Sequence, residues 1–234
     1  PPRPWALSTE DAMATCLRPL IWERSESTVA NDVRIRTMRG EDLAHIPSLM
    51  RRIYAPPRYG PEAVWSEASL GSHLRIFPEG QFVAVLPGGR LVGTATCMRV
   101  SLLKAVLPHT WSDITARGTL ESHDPEGDVL YGVNIAVDPL LQGLGIGHAL
   151  YRARLALGRR LGCCAFLAGA RLAGYRRHDY LSPEQYLDEV REGHLFDPTL
   201  SKQMALGFSL RGLLRNYAPD PETLGHAALI SLPL

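Results

Sequence analysis

Asn134-Ile135-Ala136-Val137-Asp138-Pro139-Leu140-Leu141-Gln142-Gly143-Leu144-Gly145-Ile146-Gly147-His148 is the stretch that decides the fold. An apolar run of β type, residues 129–137, leads into it. Pro139 ends that strand because it has no N–H to give a ladder. Gly143, Gly145 and Gly147 let the chain turn tightly and bring its amides close to a ligand. A helix over residues 145–161 follows, with Ala149, Leu150, Ala153, Leu157 and Leu161 as its apolar face. Consecutive N–H groups at a helix start suit an anion such as a pyrophosphate. Two familiar phosphate loops fail here. A Walker loop needs Gly-Lys, which occurs nowhere in the chain, and a Rossmann fingerprint needs glycine at the position of His148.

Outward from this stretch, strands and helices alternate. Val33-Arg34-Ile35-Arg36 reads as a half-buried strand. Leu43, Ile46, Met50 and Ile53 give one apolar helical face after Glu41 and Asp42, with Pro47 forcing a kink or a late start. A second helix is expected over residues 63–77, then a hairpin of residues 81–86 and 90–99 around Pro87-Gly88-Gly89. Residues 103–127 read as an irregular crossover or an inserted helix. Residues 163–168 form a buried strand, Ser182-Pro183-Glu184 starts a capped helix, and short strands fall near residues 209–214 and 226–232. Residues 1–32, with Trp5 and Trp22, read as an extension. The expectation is one α/β (α+β) domain over residues 33–234.

Gln142-Gly143-Leu144-Gly145-Ile146-Gly147 resembles motif A of the GNAT acetyltransferase superfamily, Q/R-x-x-G-x-G/A. The Arg39-Gly40-Glu41-Asp42 helix start, the Pro-Gly-Gly hairpin and Leu206-Gly207-Phe208 fall in that family's order. The resemblance implies a central mixed, mostly antiparallel sheet flanked by helices, and acetyl-CoA as cosubstrate. By resemblance, Gln142, Gly143 and the amides of Leu144, Gly145, Ile146, Gly147 and His148 hold the coenzyme A pyrophosphate. Ile135, Ala136 and Val137 then pair their backbone with the pantetheine arm. Residues 168–175, 197–200 and 215–217 are similar to the acetyltransferase domain that some bacteria fuse to a carbon–nitrogen hydrolase, here in a stand-alone version.

Composition narrows the rest. The 234 residues carry a formal charge of +1, without the basic excess of a nucleic-acid binder. Lys104 and Lys202 are the only lysines, so arginine does the basic work, through either phosphate recognition or genomic codon bias. Cys16, Cys97, Cys163 and Cys164 form no CxxC pair, which favours buried thiols in a reducing compartment and no metal. No apolar run spans a bilayer and residues 1–19 carry no signal-peptide core, so a cytoplasmic protein without membrane partners is expected. By resemblance, a homodimer is the assembly to look for.

Acetyl transfer from a thioester to an amine requires loss of an amine proton, an oxyanion donor and a proton for the departing thiolate. Many relatives place a tyrosine acid five residues before the Gly-Phe phenylalanine, where this chain has Gln203. Tyr217 and Tyr175 are the alternative acids, and Tyr131 and Asn134, with Asp128 nearby, the candidate bases. Tyr175, Arg176 and Arg177 belong to a basic, aromatic cluster that fits an acceptor carrying a carboxylate or phosphate, or else a solvated loop. Tyr59 would form the opposite wall. The leading expectation is acetylation of a small amine. A protein N-terminal or lysine acetyltransferase and a non-catalytic coenzyme A-binding sensor are the alternatives, the last favoured by Gln203.

Overall fold

The structure is a computed structural model that describes residues 32–54 and 63–234. The extension at residues 1–31, Cys16 and the expected wall residue Tyr59 lie outside the described residues. One seven-stranded sheet has β1 (Arg34–Thr37), β2 (Gln81–Val85), β3 (Leu91–Val100), β4 (Val129–Val137), β5 (Ala165–Arg171), β6 (Ser209–Leu214) and β7 (Ala227–Pro233), in the order β1-β2-β3-β4-β5-β7-β6. Every pairing is antiparallel except that of β4 with β5. This is the mixed, mostly antiparallel sheet that the motif implied. β2 and β3 are covered on both faces, which is why they read as near-continuous apolar runs rather than alternating ones.

The helices are α1 (Ile46–Ile53), α2 (Glu67–Ile76), α3 (Leu102–Val106), α4 (Trp111–Ile114), α5 (Ile146–Arg160), α6 (Pro183–Arg191) and α7 (Leu200–Ala205). Pro47 causes a late start: α1 begins at Ile46, after a separate turn at Gly40–Asp42. The second expected helix also starts late, at Glu67, where the Ser66 hydroxyl accepts from the Ser69 amide and caps it. Ser182 caps α6 in a reciprocal box with Gln185. Residues 103–127 resolve into α3, α4 and turns. α4 is announced by a box between Thr110 and Asp113. Among the described residues, no helix is long and apolar enough to cross a membrane.

His73 ties this inserted segment to α2. Its ring is fully buried, and Nε2 donates to the Gly118 carbonyl at 2.6 Å, while Nδ1 has no partner. Burial lowers its pKa, because a charged imidazolium there would lose its water. An unfolded chain takes up this proton near pH ~6.5, before the folded one does. The stability His73 contributes is thus complete above that pH and lost as pH falls toward its folded value. Thermal melts from about pH 7 to about pH 5 should show a falling midpoint. The fall should be shallower by a few degrees in His73→Gln, which keeps a donor but cannot titrate.

Candidate functional site

The β4–β5 ladder runs from Val129 opposite Ala165 to Gly132 opposite Ala168, and there it stops. Beyond that point β4 stays on β3 and β5 stays on β7, so the two central strands part and leave a gap. The Asp138 amide bonds to Val92 on β3. By antiparallel alternation Ala136 also faces β3, while Ile135 and Val137 direct their N–H and C=O groups into the gap. The Gln142 amide reaches the Val137 carbonyl there, at 3.3 Å.

At the end of β4, Asp138 caps the Pro139–Leu141 turn through the Leu140 amide and takes an ion pair from Arg52 of α1 at 3.2 Å. Gly143 and Gly145 have φ of +81° and +85°, a conformation that glycine adopts without strain. Gly145 is the N-cap of α5, and the first helical bond runs from Ala149 back to it. The Ile146 and Gly147 amides therefore have no intrahelical acceptor and point out at the mouth of the gap. The turn, the helix start and the open strand edge form one continuous surface.

A bulge sets the chemistry on the strand. Thr96 pairs with Asn134 and Cys97 with Gly132, so Val133 is the extra residue. Because Thr96 and Cys97 point to opposite faces, Tyr131 and Asn134 come to lie on the same one. Leu130 and Gly132 face α5, where Gly158 of that helix lies within contact distance of Leu130. The Tyr131–Asn134 face is the opposite one.

On that opposite face three side chains form a chain. His109 Nδ1 is 2.7 Å from the Leu107 carbonyl, which can only accept, so the proton sits on Nδ1. Nε2 is then an acceptor, and the Tyr131 hydroxyl donates to it at 2.8 Å. The Tyr217 hydroxyl, 3.0 Å from that of Tyr131, donates in turn. Burial, and then the proximity of Tyr217, raise the Tyr131 pKa well above that of an ordinary phenol. Burial pushes Tyr217 up to about 12. Burial also lowers the His109 pKa, which keeps the imidazole neutral. The phenols are buried, but His109 is only half-buried, so a proton passed along the chain ends beside solvent.

The surroundings hold this chain in place. The Tyr217 ring lies against Gly169 of β5, just past the end of the β4–β5 ladder, and a Cβ there would fall 2.4 Å from Cζ. Trp111 of α4 ties β4 to the β6–β7 connection: its amide donates to the Tyr217 carbonyl at 2.7 Å and its indole to the Val133 carbonyl at 3.2 Å. Asn134 accepts from the Tyr54 hydroxyl at 3.0 Å, and its buried Nδ2 has no partner.

On the α5 face, Gln203 of α7 donates from Nε2 to the Tyr151 hydroxyl at 2.7 Å. Arg154 lies 4.3 Å from the Tyr151 ring centre and 5.0 Å from that of Phe166, and Nη1 reaches the Asn134 carbonyl at 3.3 Å. Asp197 places α7: one carboxylate oxygen accepts from the Thr199 and Leu200 amides, the other from the Gly174 amide and the Tyr186 hydroxyl.

The structure brings Tyr131, Tyr217 and Asn134 to the gap, with residues 135–137 along its edge and residues 142–148 at its mouth. The expected acceptor cluster lies on the turn after β5, against the β6–β7 connection that also carries Tyr217. Tyr175 is buried with its hydroxyl on the Leu181 carbonyl. Arg176 is exposed and reaches the Pro221 carbonyl, and Arg177 is exposed on the same turn. Asp128 accepts from the Leu102 amide at the far end of β4. His109 and Trp111 are additions that the sequence reading missed. Their one sequence signal is the Thr110–Asp113 box that starts the next helix.

Comparison with known proteins agrees with this geometry. The family model described as "Acetyltransferase (GNAT) family" matches residues 48–178. The uncharacterized N-acetyltransferase YkwB of Bacillus subtilis (strain 168) is 34% identical over 199 residues, covering 84% of this chain and 86% of that protein. YhcX, a probable hydrolase of the same organism, is 34% identical over 187 residues, 80% of this chain. This chain spans only 35% of YhcX's length. Among solved structures, a GNAT-like decarboxylase, GphF, in complex with isobutyryl-CoA superposes with a TM-score of 0.71 at 25% identity, covering 86% of this chain and 98% of that one. With its strand–loop–helix motif, its parted central strands and these matches, the chain belongs to the acetyltransferase (GNAT) family.

Proposed function

We propose that this chain moves the acetyl group of acetyl-CoA to the amine of a small molecule, by direct attack within a ternary complex. The observation that carries the reading is the gap between β4 and β5, with an anion-binding turn at its mouth and a proton-accepting chain at its closed end. The residues present fit the cosubstrate. The amides of residues 144–148 suit its pyrophosphate, and the exposed edge of Ile135 and Val137 suits the amides of its pantetheine arm. Acetyl-CoA supplies an activated thioester.

The remaining chemistry falls to side chains of this chain. An amine entering on the face away from α5 meets Tyr217, Tyr131 and Asn134. Tyr217 accepts the amine proton as its own passes to Tyr131, and the Tyr131 proton passes to His109 Nε2. His109 then releases a proton to solvent. No phenolate needs to persist, so raised phenol pKa values do not obstruct the transfer. Trp111 and the buried wall behind it exclude water from the reacting centre.

Gly169→Ala tests this end of the gap. Its new methyl must displace Tyr217, so stability should fall by about 1–3 kcal/mol. Turnover should fall at least ~10-fold with acetyl-CoA affinity little altered. The activity itself is tested by thiol release from acetyl-CoA against a panel of small amines and peptides. Turnover with a small amine supports the proposal, and turnover only with peptides moves the acceptor to protein N-termini or lysines. Binding without turnover supports a sensor.

One observation favours a second reading. The groups at the closed end are phenols and a neutral histidine, which can deliver a proton as readily as remove one. GphF, one of the structural neighbours, is a GNAT-like decarboxylase. Loss of carbon dioxide from an acyl-CoA that carries a carboxylate leaves a carbanion that needs such a proton. Carbon dioxide release without an amine would support this reading over acetyl transfer.

A further inference from the structure

The chain from Tyr217 to His109 takes protons away from one face, but the thiol that departs from a thioester in the gap needs one on the other. On the α5 face, α5 and α7 flank the gap, and Gln203 and Tyr151 join them by one hydrogen bond. In that bond the amide donates and the phenol oxygen accepts. The Tyr151 O–H proton is therefore left uncommitted, with no acceptor among the described residues.

A buried cation packs against the same ring. Arg154 is 1% exposed, and its Nε and Nη2 have no hydrogen-bond partner. Among the described residues no carboxylate pairs with it. A buried cation without a counterion is costly, and a transient negative charge beside it recovers part of that cost. Its guanidinium carbon lies over the Tyr151 ring, so a phenolate formed there would face a cation on its ring and an N–H on its oxygen. The Phe166 ring beside both belongs to the paired part of β5, which places the group at the closed end of the gap.

We infer that Tyr151 is the catalytic acid that protonates the departing coenzyme A thiolate, with Gln203 and Arg154 as its positioning residues; this rests on the acetyl-transfer reading above. The amine nitrogen bonds to the acyl carbon and the C–S bond breaks. The Tyr151 proton goes to sulfur, leaving a phenolate held by Gln203 and Arg154. That phenolate recovers a proton from solvent, matching the one released through His109. The helix that starts at the anion-binding turn thus also serves the leaving group, one and a half turns further along.

Tyr151→Phe removes only the hydroxyl and is the variant to make. Acetyl-CoA affinity and the melting temperature should stay close to wild type, and turnover should fall about 100-fold. A second readout needs no acceptor: the pH dependence of alkylation of enzyme-bound coenzyme A by iodoacetamide. If Tyr151 donates to sulfur, the bound thiol titrates lower in the wild type, and Tyr151→Phe cuts its thiolate fraction about tenfold at a given pH. Wild-type turnover and an unmoved thiol titration in Tyr151→Phe would overturn the assignment. If the wild type acetylates no amine, the functional reading fails, and the thiol titration still judges Tyr151 alone. Absence of coenzyme A binding would overturn both.

Discussion

Gly147→Asp is expected to raise the dissociation constant for acetyl-CoA by about 30- to 100-fold while leaving the protein at least as stable. Gly147 is the second residue of α5, and a Cβ there would meet only Val137 Cγ2, at an ordinary 3.9 Å. A carboxylate in the first turn of a helix is favourable to the helix dipole, so the melting temperature should hold or rise. The same carboxylate would sit where the pyrophosphate is to bind. Two like charges 4–5 Å apart at the protein surface repel by about 3–4 kcal/mol before salt screening, which gives the stated loss once part of it is screened. Gly147→Ala is the control, with the same methylene and no charge, and should lose less than about threefold. Calorimetric titration of each variant, beside its melting curve, checks the prediction. Stability and affinity moving in opposite directions is the signature of a binding surface.

The second large effect concerns His109. His109→Gln retains an acceptor for the Tyr131 hydroxyl, so the buried phenols stay paired and the fold stays intact. It cannot take up a proton. Turnover should fall about 10²- to 10⁴-fold with acetyl-CoA affinity unchanged. The pH profile gives a sign as well. His109 must be neutral to accept a proton, and burial lowers its pKa. The acid limb of the wild-type profile should therefore lie below the ordinary histidine value of about 6.5. Activity should persist down through that pH and fall only in more acidic solution. In His109→Gln the residual activity should lose that limb. A His109→Gln enzyme with wild-type turnover and an unchanged limb would show that the histidine only fills space.

Much of the architecture was legible in the residues. The strand at 129–137, the turn and the long helix follow from Pro139, three glycines and an apolar face, all local signals. The hairpin at Pro87-Gly88-Gly89 and the Ser182 cap are local as well. The site was only half legible, because its chemistry depends on one extra residue. Strict alternation along β4 puts Tyr131 and Asn134 on opposite faces. The bulge at Val133 restores them to one face, and nothing in Gly132-Val133-Asn134 marks it.

His109 was hidden for a related reason. It lies in an irregular segment and meets Tyr131 across 22 positions, through a turn that no periodicity describes. Gln203 looked like a missing acid when read along the chain alone. Its partner Tyr151 is 52 positions away on another helix, and only the packing of α5 against α7 joins them. The arginine cluster was visible in the sequence, but not the ion pairs of Arg171 with Asp220 and Glu222, which lie about fifty positions further along the chain.

The central claim, that the turn and open strand edge from Ile135 to His148 hold acetyl-CoA, is tested most directly by comparing two ligands in equilibrium titration. One is acetyl-CoA. The other is S-acetyl-N-acetylcysteamine, which keeps the thioester and one amide but lacks the pyrophosphate. Saturable binding of acetyl-CoA, at least ~100-fold tighter than the truncated thioester, is the predicted result, a difference of about 2.7 kcal/mol from the pyrophosphate half. Equal affinity for the two, or no binding of acetyl-CoA, would contradict the account.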